Sequence, residues 1–325
     1  MNANAVALGA ELQSGERAAF AEDVRFGMAQ SQRWLPTRFL YDALGSALFD
    51  AICRLPWYPI TASELGLLTR HGADIIRLSG PSRIVELGSG SGDKLAVLLN
   101  SAPRRTQLDL HLVDLSTAAL AQAERLLGGL ANVKVHTHAA NYEDGLSSIA
   151  REMSRPGPTL VMYLGSNIGN YEPHKAAALL TSIRAAMRSG DTLLLGADLV
   201  KPIETLLRAY DDPLGVTAAF NRNLLVRVNR ELGGNFDLDA FTHRAVWNPE
   251  LSRMEMHLVS RGRQHVRITA AGVDVTLSDG ETIWTESSYK YRAEQVDDML
   301  EAADLHSCSQ WIDPEAQFAL TLAKA

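Results

Sequence analysis

Through the middle of the chain, short apolar runs alternate with longer amphipathic stretches. Strand patterns fall at 83–88, 108–114, 133–140, 159–165 and 192–198. Helical patterns separate them, for example 117–129 and 174–188, the second ended by Ser189-Gly190. Regular alternation of strand and helix predicts a parallel sheet with right-handed crossovers. Near the end, 293–305 reads as a helix, and 307–312 and 317–323 as two strands whose short connection forces them antiparallel.

One region breaks the alternation. Between 198 and 293 lie roughly ninety residues, far more than an ordinary connection holds. They carry a helical run at 216–232, alternating stretches at 253–259, 265–269 and 273–277, and a further segment at 283–291. This predicts an inserted α+β lobe, with the first sixty or so residues packed beside it. The domain expectation is a core of 62–198 plus 290–325, a lobe of 1–61 plus 199–289, and a cleft between them. The pattern shows no internal repeat and no low-complexity tract.

Chemistry enters at Arg83-Ile84-Val85-Glu86-Leu87-Gly88-Ser89-Gly90-Ser91-Gly92-Asp93-Lys94. A buried strand runs into a glycine at every second position and then into a helix. Glycines allow a sharp turn and close approach of backbone N–H groups to a ligand. The dinucleotide fingerprint G-x-G-x-x-G fails because Asp93 occupies the third glycine position, and the P-loop spacing is absent as well. Asp114 closes the next strand, where a carboxylate can accept hydrogen bonds from both ribose hydroxyls. The motif E-x-G-x-G-x-G resembles the first motif of the class I S-adenosylmethionine (SAM) methyltransferases, and the terminal hairpin resembles the end of their sheet.

Composition narrows the field further. The chain has 325 residues, a 46% hydrophobic content and a formal net charge of -7. That charge, without any Lys/Arg-rich block, argues against nucleic acid as a partner. Cys53 and Cys308 lie far apart without metal-type spacing, which fits a reduced compartment. No basic region precedes an apolar stretch at the N-terminus, and no apolar run is long enough to span a bilayer. The expectation is a soluble, cytoplasmic monomer acting on a small molecule, with no membrane partner and no metal. His136 and His138 share a strand face, but no third ligand is expected near them, so the pair reads as structural.

Past the fourth strand comes Gly165-Ser166-Asn167-Ile168-Gly169-Asn170, two amides among small residues at a strand's carboxyl end. This segment suits either a small zwitterion or a plain polar turn. Together with Phe39-Leu40-Tyr41-Asp42-Ala43-Leu44-Gly45-Ser46, Gly196-Ala197-Asp198-Leu199-Val200-Lys201, Arg208-Ala209-Tyr210-Asp211-Asp212, the run from Gly215 to Asn223, Phe236-Asp237-Leu238-Asp239-Ala240-Phe241 and Thr285-Glu286-Ser287-Ser288, it resembles the ergothioneine-pathway L-histidine N-methyltransferases. The resemblance runs from about residue 35 to the C-terminus. It implies an α/β fold: a class I, Rossmann-like SAM methyltransferase core with an inserted α+β substrate-binding lobe. The implied reaction is trimethylation of the histidine α-amine to hercynine.

What the resemblance implies for single residues is specific. Tyr41, Asn170, Tyr210 and Ser288 match the residues that hold the histidine carboxylate and amine. Glu286 matches the residue that meets the imidazole, with Met256 lining that pocket, and Gly165 is a further substrate-binding candidate. Tyr41 and Asn170 are also the candidates for orienting the amine and relaying its proton. The cofactor set is Glu86, Gly88, Ser89, Gly90, Lys94, Asp114, Asn141 and Tyr142. Independently of the resemblance, Glu286 and Ser288 are two apart on an expected strand and so project from one face.

Two segments depart from the family pattern. Leu-Pro-Glu-Tyr-Tyr-Pro is replaced by Leu55-Pro56-Trp57-Tyr58-Pro59, one residue shorter, with Trp57 where a tyrosine would contact the imidazole. Indole offers only a donor, whereas a tyrosine hydroxyl both donates and accepts. Asn141-Tyr142 stands where the family has an aspartate near the adenine. The rival readings are therefore methylation of an imidazole nitrogen and methylation of another amino acid such as tryptophan. From other classes come an NAD-dependent dehydrogenase and a silent SAM-binding regulator. The Asp93 spacing weighs against the dehydrogenase, and the retained Tyr41, Asn170, Tyr210, Glu286 and Ser288 weigh against the regulator.

Overall fold

The computed structural model describes residues 14–102, 107–130, 132–152 and 157–325. They divide into two compact units: the described part of 1–58 with Pro202–Ser288, and the described part of 59–201 with Tyr289–Ala325.

The second unit is built on a seven-stranded sheet. Its strands are β1 (Arg83–Leu87), β2 (Leu108–Asp114), β3 (Val133–Ala139), β4 (Thr159–Tyr163), β5 (Thr192–Asp198), β6 (His306–Asp313) and β7 (Phe318–Lys324). Their order is β6-β7-β5-β4-β1-β2-β3. The first five run parallel, and β7 pairs antiparallel with both β5 and β6. β1, β4 and β5 are buried along their whole length, as sheets covered on both faces require. Edge strand β3 is only half-buried.

The order reverses between β1 and β4, which pair with Leu87 opposite Tyr163. In open α/β sheets that switch point opens a crevice at the carboxyl ends of the strands. Both strands stop short of the lengths their apolar runs suggest. Gly88 takes φ +73° after Leu87, and Gly165 and Ser166 take φ +76° and +54° after Tyr163. A left-handed backbone cannot continue the ladder, so the chain turns out into the crevice. The late helix is likewise shorter, Ala293–Glu301, and its following turn places Asp304 at φ +59°.

The first unit holds a four-stranded sheet. Arg33–Trp34 lies parallel to Thr282–Tyr289, followed by Arg253–Ser260 and then Phe241–Asn248, the last two antiparallel. A separate hairpin joins Gln264–Ile268 to Val273–Leu277. Helix Val216–Leu232 begins where Asp212 accepts the N–H groups of Leu214, Val216 and Thr217 at 3.0, 3.2 and 2.7 Å. It ends at Gly233 with φ +65°, a glycine C-cap. Strand Phe241–Asn248 and helix Ile203–Tyr210 were not expected from the pattern. The strand is mostly half-buried and so lacks a clean two-residue alternation.

Candidate active site

The cofactor side lies wholly in the seven-stranded unit. Gly88 N–H donates to Val113 O at 2.8 Å, bringing the glycine turn onto the end of β2. There Asp114 accepts the N–H groups of Gly90 at 3.0 Å and Ser116 at 2.8 Å. A carboxylate offers about four lone-pair sites, so two remain for a vicinal diol. A Cβ on Gly88 would lie 3.0 Å from the Tyr142 hydroxyl and 3.1 Å from Asn167 Nδ2. Only glycine leaves this approach open. Tyr142 is set edge-on to Tyr163, ring centroids 5.3 Å apart, and burial pushes its hydroxyl pKa up.

Two buried atoms in this turn have no hydrogen-bonding partner, Glu86 Oε2 and Ser89 Oγ. Native folds rarely leave such atoms unmatched without a ligand or water to take them. Burial raises the Glu86 pKa to about 8, against the pull of Lys94 and with Glu64 and Asp114 adding to the rise. An orphaned acidic oxygen beside an open glycine turn fits a ligand that carries an ammonium group. The Asp114 carboxylate fits its ribose. The residues present thus suit SAM, an amino acid joined to a nucleoside.

Asn141 also serves the local fold. It is exposed; its Oδ1 accepts Asp144 N–H at 2.8 Å and its Nδ2 donates to Asp144 Oδ2 at 2.9 Å. Through its Oδ1 the amide thus caps helix Tyr142–Glu152, and its Nδ2 braces the Asp144 side chain. Past β4, Gly165 N–H points at the carboxylate of Glu64. Asn170 is exposed at the end of the short turn Asn167–Asn170.

Four residues near these groups carry no individual site role in the sequence reading. Leu115, directly after Asp114, is 71% exposed and offers an apolar surface. Asn167 sits against Gly88. Glu64 is fully buried on helix Pro59–Ser79 and pairs with Lys94 Nζ at 2.6 Å. Its signal was a carboxylate four residues after Ile60 and three before Leu67, inside an apolar stripe. The fourth, Tyr58, belongs to the other unit.

In the first unit, Tyr210 and Ser288 meet: the Tyr210 hydroxyl donates to Ser288 Oγ at 2.8 Å, and both residues are buried. Glu286 is two residues along the same strand and 8% exposed, so it does not lie on a solvated face. Met256 is buried on Arg253–Ser260, its carbonyl accepting from Thr285 Oγ1 at 2.9 Å. Tyr41 is 38% exposed and stands edge-on to Phe49 and Phe220, each 5.5 Å away. Trp57 is half-buried in a turn. Tyr58, by contrast, is buried with its ring edge-on to Tyr210 at 6.3 Å and to Phe49 at 6.4 Å. The tyrosine beside the Tyr210–Ser288 pair is therefore Tyr58, and the gap in the family pattern left it in place.

Behind Tyr210 stands His243, whose Nε2 donates to the Tyr210 carbonyl at 2.7 Å while its Nδ1 faces Asn221 Nδ2 at 2.9 Å. Only the neutral Nε2–H tautomer satisfies both contacts, and burial lowers the His243 pKa accordingly.

A third imidazole stands beside His136 and His138, where none was expected. His111 on β2 stacks on both, with ring centroids 4.7 and 5.3 Å apart, and its Nδ1 lies 3.0 Å from His138 Nε2. Burial, with the neighbouring imidazoles adding, pushes the His111 pKa down to about 4. Stacked rings bonded through one shared proton do not converge on a point. Among the described residues, no group of three or more His, Cys, Asp or Glu side chains could hold a metal ion.

A doubly wound sheet with an antiparallel seventh strand, a glycine turn at its switch point and an acidic residue closing the next strand defines a class I SAM-dependent methyltransferase. The family model for histidine-specific, SAM-dependent methyltransferases matches residues 20–325. The chain belongs to that family. A histidine N-alpha-methyltransferase from Mycolicibacterium smegmatis is 42% identical over 308 residues, 94% of each chain. One from Mycobacterium tuberculosis is 41% identical over the same shares. An L-tryptophan methyltransferase from Psilocybe serbica is 30% identical, covering 90% of this chain and 88% of its own. Among the described residues, no helix is long and apolar enough to cross a membrane.

Proposed function

We propose that this enzyme methylates the α-amino nitrogen of free L-histidine three times, giving hercynine. The observation that carries the reading is the strand Thr282–Tyr289, which presents a buried carboxylate at Glu286 and a buried hydroxyl pair, Ser288 with Tyr210, two residues away. Two residues of strand span about 7 Å, of the order of the distance from a histidine carboxylate to its far ring nitrogen. Hydroxyls suit the carboxylate, and Glu286 suits an imidazole N–H. The α-amine is bonded to the carbon that bears the carboxylate, so it lies at the hydroxyl end. In this reading Asn170 and Gly165 serve the amine, Met256 and Tyr58 pack against the substrate, and Trp57 closes over the ring.

SAM supplies an electrophilic methyl group for in-line displacement and would be held by Glu86, Gly88, Ser89, Gly90, Lys94 and Asp114, with Tyr142 and Leu115 beside the adenine. The protein's part is alignment and exclusion of water. The substrate amine must be unprotonated at each transfer. Starting from the ammonium form, three transfers release three protons and leave a quaternary, permanently charged nitrogen. In a free amino acid the neighbouring carboxylate keeps the α-amine protonated at neutral pH, so each transfer is preceded by loss of a proton. Tyr41, partly exposed, relays each proton to water.

Fragmentation mass spectrometry of the product from histidine and SAM tests the proposal. The expected result is three methyl groups on the α-nitrogen with an intact imidazole. A singly methylated ring would overturn it, and so would preferential turnover of tryptophan.

A further inference from the structure

Glu64 has no role in the function proposed above, yet it is the most completely enclosed charge near the cofactor turn. It is 0% exposed and sits among Ile60, Leu67, Leu68 and Ile75 on helix Pro59–Ser79. A carboxylate persists in such surroundings only when its oxygens are paired. Lys94 Nζ approaches Oε2 at 2.6 Å, and Gly165 N–H donates to Oε1 at 2.8 Å and Oε2 at 3.0 Å. The backbone around it is cut to its outline. A Cβ on Gly196 would come within 2.2 Å of Oε1, and one on Gly165 within 2.8 Å of Lys94 Nζ.

These contacts join two stretches far apart in sequence, the helix that follows the glycine turn and the loop that follows β4. We propose that Glu64 is a positioning residue for the methyl transfer. Its charge holds Lys94 in the cofactor cradle, and its oxygens hold the Gly165 amide in the acceptor loop. One buried group thereby fixes the cofactor contact relative to the substrate contact. The proposal rests on the reading that Lys94 serves the cofactor and Gly165 the substrate.

Replacement by glutamine separates charge from shape. A glutamine keeps only one of the two oxygens that accept from Gly165 N–H, and its amide N–H groups would face the Lys94 ammonium, donor against donor. Lys94 must then move. Calorimetry with S-adenosylhomocysteine should compare the wild type, Glu64→Gln, Lys94→Met and the double variant. Each single variant is expected to weaken binding on the order of tenfold, as loss of a charged hydrogen bond does. The double variant is expected to bind no more weakly than Lys94→Met alone. Glu64→Gln should also raise the KM for histidine, and Lys94→Met should not, a split that a merely structural role would not produce.

Should Glu64→Gln alone fail to fold, the double variant, which removes both charges together, still gives the comparison with Lys94→Met. A further loss of affinity in the Lys94→Met background would overturn the proposal, as would an unchanged histidine KM in Glu64→Gln. If Lys94→Met alone leaves S-adenosylhomocysteine affinity untouched, the cofactor role of Lys94 fails and the proposal falls with it. That outcome is read from one variant, independently of Glu64.

Discussion

The two units assemble their functional groups in opposite ways. In the seven-stranded unit, Glu86, Gly88, Ser89, Gly90, Lys94 and Asp114 come from one strand–turn–helix–strand passage. Their geometry follows from local rules: a glycine with φ +73°, an N–H onto a carbonyl at the end of the next strand, and a carboxylate at that strand's end. In the other unit, the residues proposed for the substrate, Tyr41, Tyr58, Tyr210, Met256, Glu286 and Ser288, come from five separate stretches of chain, and only the Glu286–Ser288 spacing is local. A site made by one turn resists drift because backbone geometry fixes it. A site made by assembled side chains can change its ligand through single substitutions.

Two substitutions should break the comparison most sharply. Gly88→Ala forces a side chain into a left-handed backbone and against Tyr142, at about 1–3 kcal/mol. It should weaken S-adenosylhomocysteine binding, with the histidine KM close to that of the wild type. Glu286→Ala leaves an imidazole N–H unpaired, at about 1–3 kcal/mol. It should lower kcat/KM for histidine and leave S-adenosylhomocysteine affinity intact. Steady-state kinetics and calorimetry on both proteins check the contrast. If each variant damages both ligands equally, the division of labour is wrong.

The next effect is a pH dependence confined to the cofactor side. In the folded, ligand-free protein Glu86 keeps its proton up to about pH 8, whereas an unfolded chain loses it near the ordinary carboxylate value. The unfolded state therefore binds fewer protons in that window. This group makes the free protein less stable as pH rises through it, with the loss complete above about pH 8. An ammonium group arriving at Glu86 favours the ionised form. S-adenosylhomocysteine affinity should then climb by up to tenfold per unit between about pH 6 and 7.5, about 1.4 kcal/mol. Binding at neutral pH should release most of one proton, seen as a dependence of the calorimetric enthalpy on the buffer. Glu86→Gln should abolish both; a flat profile in the wild type would place the ammonium elsewhere.

The smallest expected effect distinguishes neighbours in the substrate unit. Tyr58→Leu removes an aromatic edge contact with Tyr210, at about 0.5–1.5 kcal/mol, and should raise the histidine KM several-fold. Trp57→Leu should change it less. The reverse ranking would return the ring contact to position 57.

The strand–turn–helix–strand passage around Gly88 was largely legible beforehand because strand, turn and helix each have a local sequence signature. The five parallel strands fall close to their expected positions, and the hairpin is antiparallel as its short connection demands. The helix-start bonds of Asn141 to Asp144 were not legible, because which side chain caps a helix depends on rotamers that the sequence pattern does not encode. His111 was not connected to His136 and His138, since only pairing of β2 with β3 sets residue 111 opposite residue 136. Tyr58 was passed over because matching against a family pattern assigns a gap but not a direction for the side chain.

By itself the sequence determined the alternation of elements, the glycine turn with its acidic partners, and the shared face of Glu286 and Ser288. These depend on backbone periods of 2 and 3.6 residues and on the conformational reach of glycine. Only the tertiary structure decided that Tyr210 bonds to Ser288 across 78 positions and that Glu64 answers both Lys94 and Gly165. It also left Glu86 with an orphaned, proton-retaining oxygen. The reason is physical: hydrogen bonding and desolvation depend on distances and burial in three dimensions, which local periodicity does not encode.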